Sequence, residues 1–184
     1  MLRLTAALFT AAIMLIGCGS TPGNNPSQNN TVTEFPTIQN LNPVQQKIVG
    51  ISQQEFQAQP PGSKYSDGAN EAWCANFISW VYREADIPLE NPNSGGWRIP
   101  GIYTLKEYLE TNGRFHPVDS GYVPQTGDIA IYQGSPIFGD HANIVLQESN
   151  GVLTTVGGNE EGKIRIYTNN QKDYTGLLGY GSLQ

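Results

Sequence analysis

Residues 42–184 predict an α+β domain, with its helices first and its strands after them. Three observations carry this reading. Apolar residues recur at helical spacing until about residue 112. Beyond residue 120 they gather into short extended runs rich in Ile, Val, Leu and Tyr. Turn-forming steps such as Ser149-Asn150-Gly151 separate those runs and favour antiparallel hairpins. Helices and strands segregated in this way imply helices packed on an antiparallel sheet rather than alternating βαβ units.

The first helix is expected over roughly 43–58. Asn42 offers a side-chain cap, Pro43 suits the first helical position, and Val44, Ile48, Ile51 and Phe56 recur on one face. Pro60-Pro61-Gly62 stops it. The loop 62–70 leads to a second helix over about 72–86, with Phe77, Ile78, Val81 and Ala85 on one side. Thr104-Leu105-Lys106-Glu107 has the form of a capping box, and Gly113 closes this short third helix. Strands are expected over 128–132, 142–146, 152–156, 163–167 and 177–180.

The N-terminal region carries a different message. Arg3 followed by the apolar run Leu4 to Ile16 reads as a secretory signal over 1–17, since the run is shorter than the ~20 residues of a spanning helix. Leu15-Ile16-Gly17-Cys18 resembles a bacterial lipobox. By that resemblance Cys18 becomes the new N-terminus, with thioether-linked diacylglycerol and an amide-linked acyl chain, and more than one chain gives stable anchoring. Gly19 in place of an aspartate favours the outer membrane, facing the periplasm. Residues 18–41, rich in Asn, Ser, Thr, Gln and Pro, are expected to be a disordered tether, whose typical reach from Cys18 to Asn42 is ~27 Å. The formal net charge of −6 argues against nucleic acid as a partner and against adhesion to anionic surfaces through charge. A membrane partnership is expected through the lipid. With Cys18 acylated, Cys74 is a lone thiol and no intrachain disulfide can form.

A thiol at a helix start is placed to be a nucleophile, because unsatisfied N–H groups there favour the thiolate. A cysteine hydrolase also needs an imidazole and a polar group to hold it. His141 opens a strand pattern after Gly139-Asp140, whereas His116 lies among loop residues in Arg114-Phe115-His116-Pro117, so His141 is the better base. If 142–147 and 152–157 pair as a hairpin, the start of one lies beside the end of the other. That brings Asn159, in Val156-Gly157-Gly158-Asn159, next to His141, with Glu160 and Glu161 as substitutes. Neither a metal nor a cofactor is needed.

Trp73-Cys74-Ala75-Asn76-Phe77-Ile78-Ser79-Trp80 resembles the nucleophile helix of CHAP domains, the cysteine- and histidine-dependent amidohydrolases/peptidases related to NlpC/P60 enzymes. Thr126-Gly127-Asp128-Ile129-Ala130-Ile131-Tyr132, Asp140-His141-Ala142-Asn143-Ile144-Val145, Val156-Gly157-Gly158-Asn159 and Leu178-Gly179-Tyr180 resemble its later motifs in the same order. The resemblance implies a papain-like fold, a Cys74-His141-Asn159 triad, a thioester intermediate and peptidoglycan as substrate. Three departures stand out. Ala142-Asn143 replaces the usual Val-Gly after the histidine, Asp140 replaces a common glycine and could raise the pKa of His141, and Gly157 stands where many members have glutamate. The chain is therefore expected to be a lipid-anchored peptidoglycan hydrolase. An inactive wall-binding scaffold and an amidase for a small amide are the competing readings.

Overall fold

The computed structural model describes residues 31–173 and 175–183, so the signal-like segment 1–17 and Cys18 lie outside it. Helix α1 (Pro43–Ala58) starts where Asn42 places it. Asn42 Oδ1 accepts the N–H groups of Val44 at 3.0 Å and Gln45 at 2.9 Å, and Gln45 Oε1 accepts the Asn42 N–H in return. Helix α2 (Cys74–Glu84) is shorter than expected at each end, and Cys74 is its first residue. Helix α3 (Ile102–Thr111) corrects the Thr104 capping box. Its N-cap is Gly101, with no side-chain cap, because starting there buries Ile102 together with Leu105 and Leu109.

The expected strands all form: β3 (Ile129–Ser135), β4 (Gly139–Ser149), β5 (Val152–Glu160), β6 (Lys163–Asn170) and β7 (Leu177–Gly181). Two short ones were not anticipated, β1 (Thr31–Val32) and β2 (Phe115–Pro117). Among the described residues they complete a seven-stranded antiparallel sheet in the order β1-β6-β5-β4-β3-β7-β2. β2 takes in His116, read above as a loop residue, and pairs it with Tyr180. Segments of this length are too short to display a two-residue alternation.

β1 also moves the start of the fold. Within the span 18–41 expected to be a tether, Val32, Phe35, Ile38 and Leu41 pack against the core, and Phe35 meets Phe56 edge-on at 6.0 Å. Four apolar side chains in a polar stretch are enough for it to dock on an existing core.

Helix α2 lies across β4 and β5. Side chains alternate between the faces of the sheet. Ile129, Ile131, Ala142, Ile144, Leu146 and Val156 pack with the helices, while Ala130, Tyr132, Val145, Leu153 and Tyr180 form a second cluster. His141 and Asn143 therefore share one face of β4, alternating with Ala142 and Ile144.

Candidate active site

The start of α2 is fixed from behind by a buried polar cluster. The Glu55 carboxylate accepts from Tyr65 Oη at 2.6 Å and from Lys64 Nζ at 2.6 and 2.7 Å. Tyr65 in turn stacks on Trp73, with ring centroids 5.2 Å apart and planes 19° apart. In front, β5 approaches so closely that a Cβ at Gly158 would stand 2.4 Å from Trp73 and 2.7 Å from Phe77 Cβ. Gly158→Ala is accordingly expected to push α2 off the sheet and cost about 1–3 kcal/mol of stability, read as a lower urea midpoint.

Cys74 opens α2 without a side-chain cap from Trp73, and only 6% of its surface is exposed. The first N–H groups of a helix have no partner within it, and their dipoles favour an anion. Cys74 and Glu160 both act on His141, whose Nε2 stands 2.9 Å from Glu160 Oε1. Since Glu160 occupies Nε2, the sulfur is left to Nδ1. Burial draws the imidazole toward its neutral form, but Cys74 and the Glu160 carboxylate outweigh it and raise its pKa to about 10. Phe138, from the β3–β4 turn, stacks over the ring at 5.7 Å and meets Tyr167 edge-on at 5.1 Å.

The structure places Cys74 beside His141, the pairing that the family resemblance implied. The third contact is made by Glu160, and no hydrogen bond joins Asn159 to His141. A bulge explains the exchange. The β5–β6 register shifts between Gly157 and Glu160, and Asn159 sits in the left-handed region at φ 64°. An extra residue in one strand changes which side chain faces a given side. Asn159 contributes the backbone conformation, which asparagine tolerates better than most residues, and Glu160 contributes the acceptor.

Asn143 is a site residue that sequence reasoning passed over as a mere departure. It is wholly buried. With its amide nitrogen turned inward it stands 2.9 Å from His141 Nε2 and donates to Glu160 Oε1 at 3.2 Å and to the Ala142 carbonyl at 3.0 Å. Asp140, by contrast, does not raise the His141 pKa as its position suggested. Its carboxylate accepts from Tyr103 Oη at 2.7 Å and the Gly134 N–H at 2.9 Å, which hold its own pKa low. The charges acting on His141 are those of Glu160 and Cys74.

Other polar features have structural roles. Asp128 ties the segment before β3, accepting from Tyr122 Oη, the Gln125 N–H and the Leu183 N–H, each at 2.7 Å. It borders a cavity of about 380 Å³ that shares no residue with the Cys74 site. His116 stacks on Tyr122 at 3.9 Å. Arg98 joins Glu71 at 2.7 Å and Asn76 Oδ1 at 3.1 Å, pinning the loop before α2. Among the described residues no group of His, Cys, Asp and Glu is arranged to hold a metal ion, and no helix is long and apolar enough to cross a membrane.

No curated protein and no solved structure matches this chain. The family model described as CHAP domain matches residues 64–159, just over half of it, running from the loop before α2 to the bulge in β5. That span takes in both Cys74 and His141 and ends one residue short of Glu160. The chain belongs to the CHAP-domain family, whose members are generally hydrolases of the cysteine-peptidase type.

Proposed function

We propose that this chain is a peptidoglycan hydrolase that cleaves an amide bond, with Cys74 as nucleophile, His141 as proton carrier and Glu160 holding the imidazole. One observation carries the reading: His141 is set between Cys74, at the uncapped start of α2, and Glu160, whose Oε1 stands 2.9 Å from its Nε2. Family membership supplies the substrate class.

In this reading the Cys74 sulfur attacks the carbonyl carbon and forms an S–C bond. The oxyanion that develops meets the Cys74 backbone N–H. The leaving nitrogen takes the proton from His141 as the C–N bond breaks, leaving a thioester. Water then attacks, His141 takes a proton from it, and the S–C bond breaks to return the sulfur. The scissile bond lies in the stem peptide or cross-bridge, or joins muramic acid to L-alanine. The loops 62–70, 88–103 and 133–140 shape the choice among them.

Incubation with purified sacculi, followed by mass spectrometry of the released fragments, names the bond directly. Fragments ending at one kind of amide support the proposal, and intact sacculi after prolonged incubation with folded protein overturn it. We place the enzyme at the outer membrane, facing the periplasm, through lipid on Cys18. On this reading Cys18→Ser moves the protein from the membrane fraction to the soluble fraction, and continued membrane fractionation refutes the anchor.

A further inference from the structure

His141 and Glu160 do not meet alone. The Asn143 amide lies against both, 2.9 Å from the ring nitrogen and 3.2 Å from the carboxylate oxygen, and its far end is 3.3 Å from Thr155 Oγ1. A wholly buried amide is retained at a cost unless its polar atoms are satisfied, and here its N–H groups are met by the Glu160 carboxylate and the Ala142 carbonyl. The neighbouring strand makes room for it. A Cβ at Gly157 would fall 1.9 Å from the inward-facing end of the Asn143 amide and 2.9 Å from Glu160 Oε1. Gly157 does not have a positive φ, so space alone forbids a side chain there.

We infer that Asn143 is a positioning residue of this site: its amide holds the Glu160 carboxylate against His141 Nε2, in space that Gly157 leaves open. The inference rests on the hydrolase reading above for its catalytic consequence. Three side-chain torsions leave a glutamate free to swing, whereas Asn143 has two and is clasped between Thr155 and the Ala142 carbonyl. An oxygen that already accepts an amide N–H is also a weaker proton acceptor. The Nε2 proton therefore stays on the ring, and the proton exchanged during reaction is the one facing Cys74. The charged and titratable groups around the ring are Cys74 from α2 and Glu160 from β5, and the Glu160 charge also reaches Tyr167 of β6.

Asn143→Ala is the test, read by hydrolysis and by NMR titration of the His141 ring in the same protein. With Glu160 released, kcat falls about 10- to 100-fold, as misplacement of a catalytic group does, while KM stays within about twofold. The His141 midpoint falls by at least about one pH unit. Gly157→Ala, which drives a methyl group into the same space, produces the same two changes. Should Asn143→Ala fail to fold, Asn143→Ala/Gly157→Ala refills the vacated volume and is read in its place. An unchanged midpoint overturns the inference, whether or not kcat falls, because a packing role alone would not move the titration selectively. A wild-type protein that releases nothing from sacculi defeats the hydrolase reading, while the titration still decides the role of Asn143.

Discussion

Replacing Cys74 with alanine is expected to abolish fragment release from sacculi while leaving the fold intact. On the proposed hydrolase reading the sulfur forms the covalent intermediate, and its loss leaves only binding and the oxyanion donor. Loss of a nucleophile from such a unit costs on the order of 10³- to 10⁶-fold in kcat. Stability should hardly change, because a buried cysteine replaced by alanine loses one atom at a site already 6% exposed, a cost of about 1 kcal/mol. Side-by-side rates on sacculi and urea midpoints check both halves. A mutant that loses activity only because it is unfolded would say nothing for the sulfur, and the midpoint detects that case.

Glu160→Gln is the second large effect. The substitution keeps the shape and removes the charge that lies 2.9 Å from His141 Nε2. Activity is expected to fall about 10²- to 10⁴-fold, the range in which loss of the orienting carboxylate of a triad lies. Removing one partner of a buried ion pair commonly costs about 3–5 kcal/mol, because a naked charge is left behind. His141 escapes most of that by releasing its proton, so the cost appears as a pH dependence. Its folded-state pKa, raised to about 10, exceeds the ordinary value of 6.5. The stabilisation from this linkage is on the order of a few kcal/mol, is fully present below about pH 6.5 and is lost as pH climbs through about 10. Urea midpoints of the wild type and Glu160→Gln should therefore differ most near pH 6 and converge by pH 10. A difference that does not change with pH would contradict the assignment of the shift to this pair.

Most of the site was legible because it depends on periodicities and turns. Cys74 heads a helical stripe, His141 opens an extended run, and the Asn150-Gly151 turn pairs β4 with β5, which is enough to bring the ends of distant segments together. Glu160, rather than Asn159, faces His141 because of the bulge. A regular strand was continued through residues 157–160, and one inserted residue turns the other side chain inward. Asn159 followed soon by Gly162 was the available sign of irregular backbone, since both favour positive φ. Asn143 and Gly157 were each visible as departures from the family pattern. Their connection was not, because the steric exchange between neighbouring strands exists only once the register is known. β1 and β2 lacked the length to show a pattern, and the α3 start was set by burial of Ile102, which outweighs a local capping signal.

These results rest on one imidazole held between a sulfur and a carboxylate, and the ring nitrogens of His141 report on both grips at once. Followed by NMR from pH 4 to 11, the wild-type ring is expected to remain doubly protonated through neutrality with a midpoint of about 10, falling in Cys74→Ala and again in Glu160→Gln. A ring that is neutral at pH 7, with the same midpoint in all three proteins, would contradict the account.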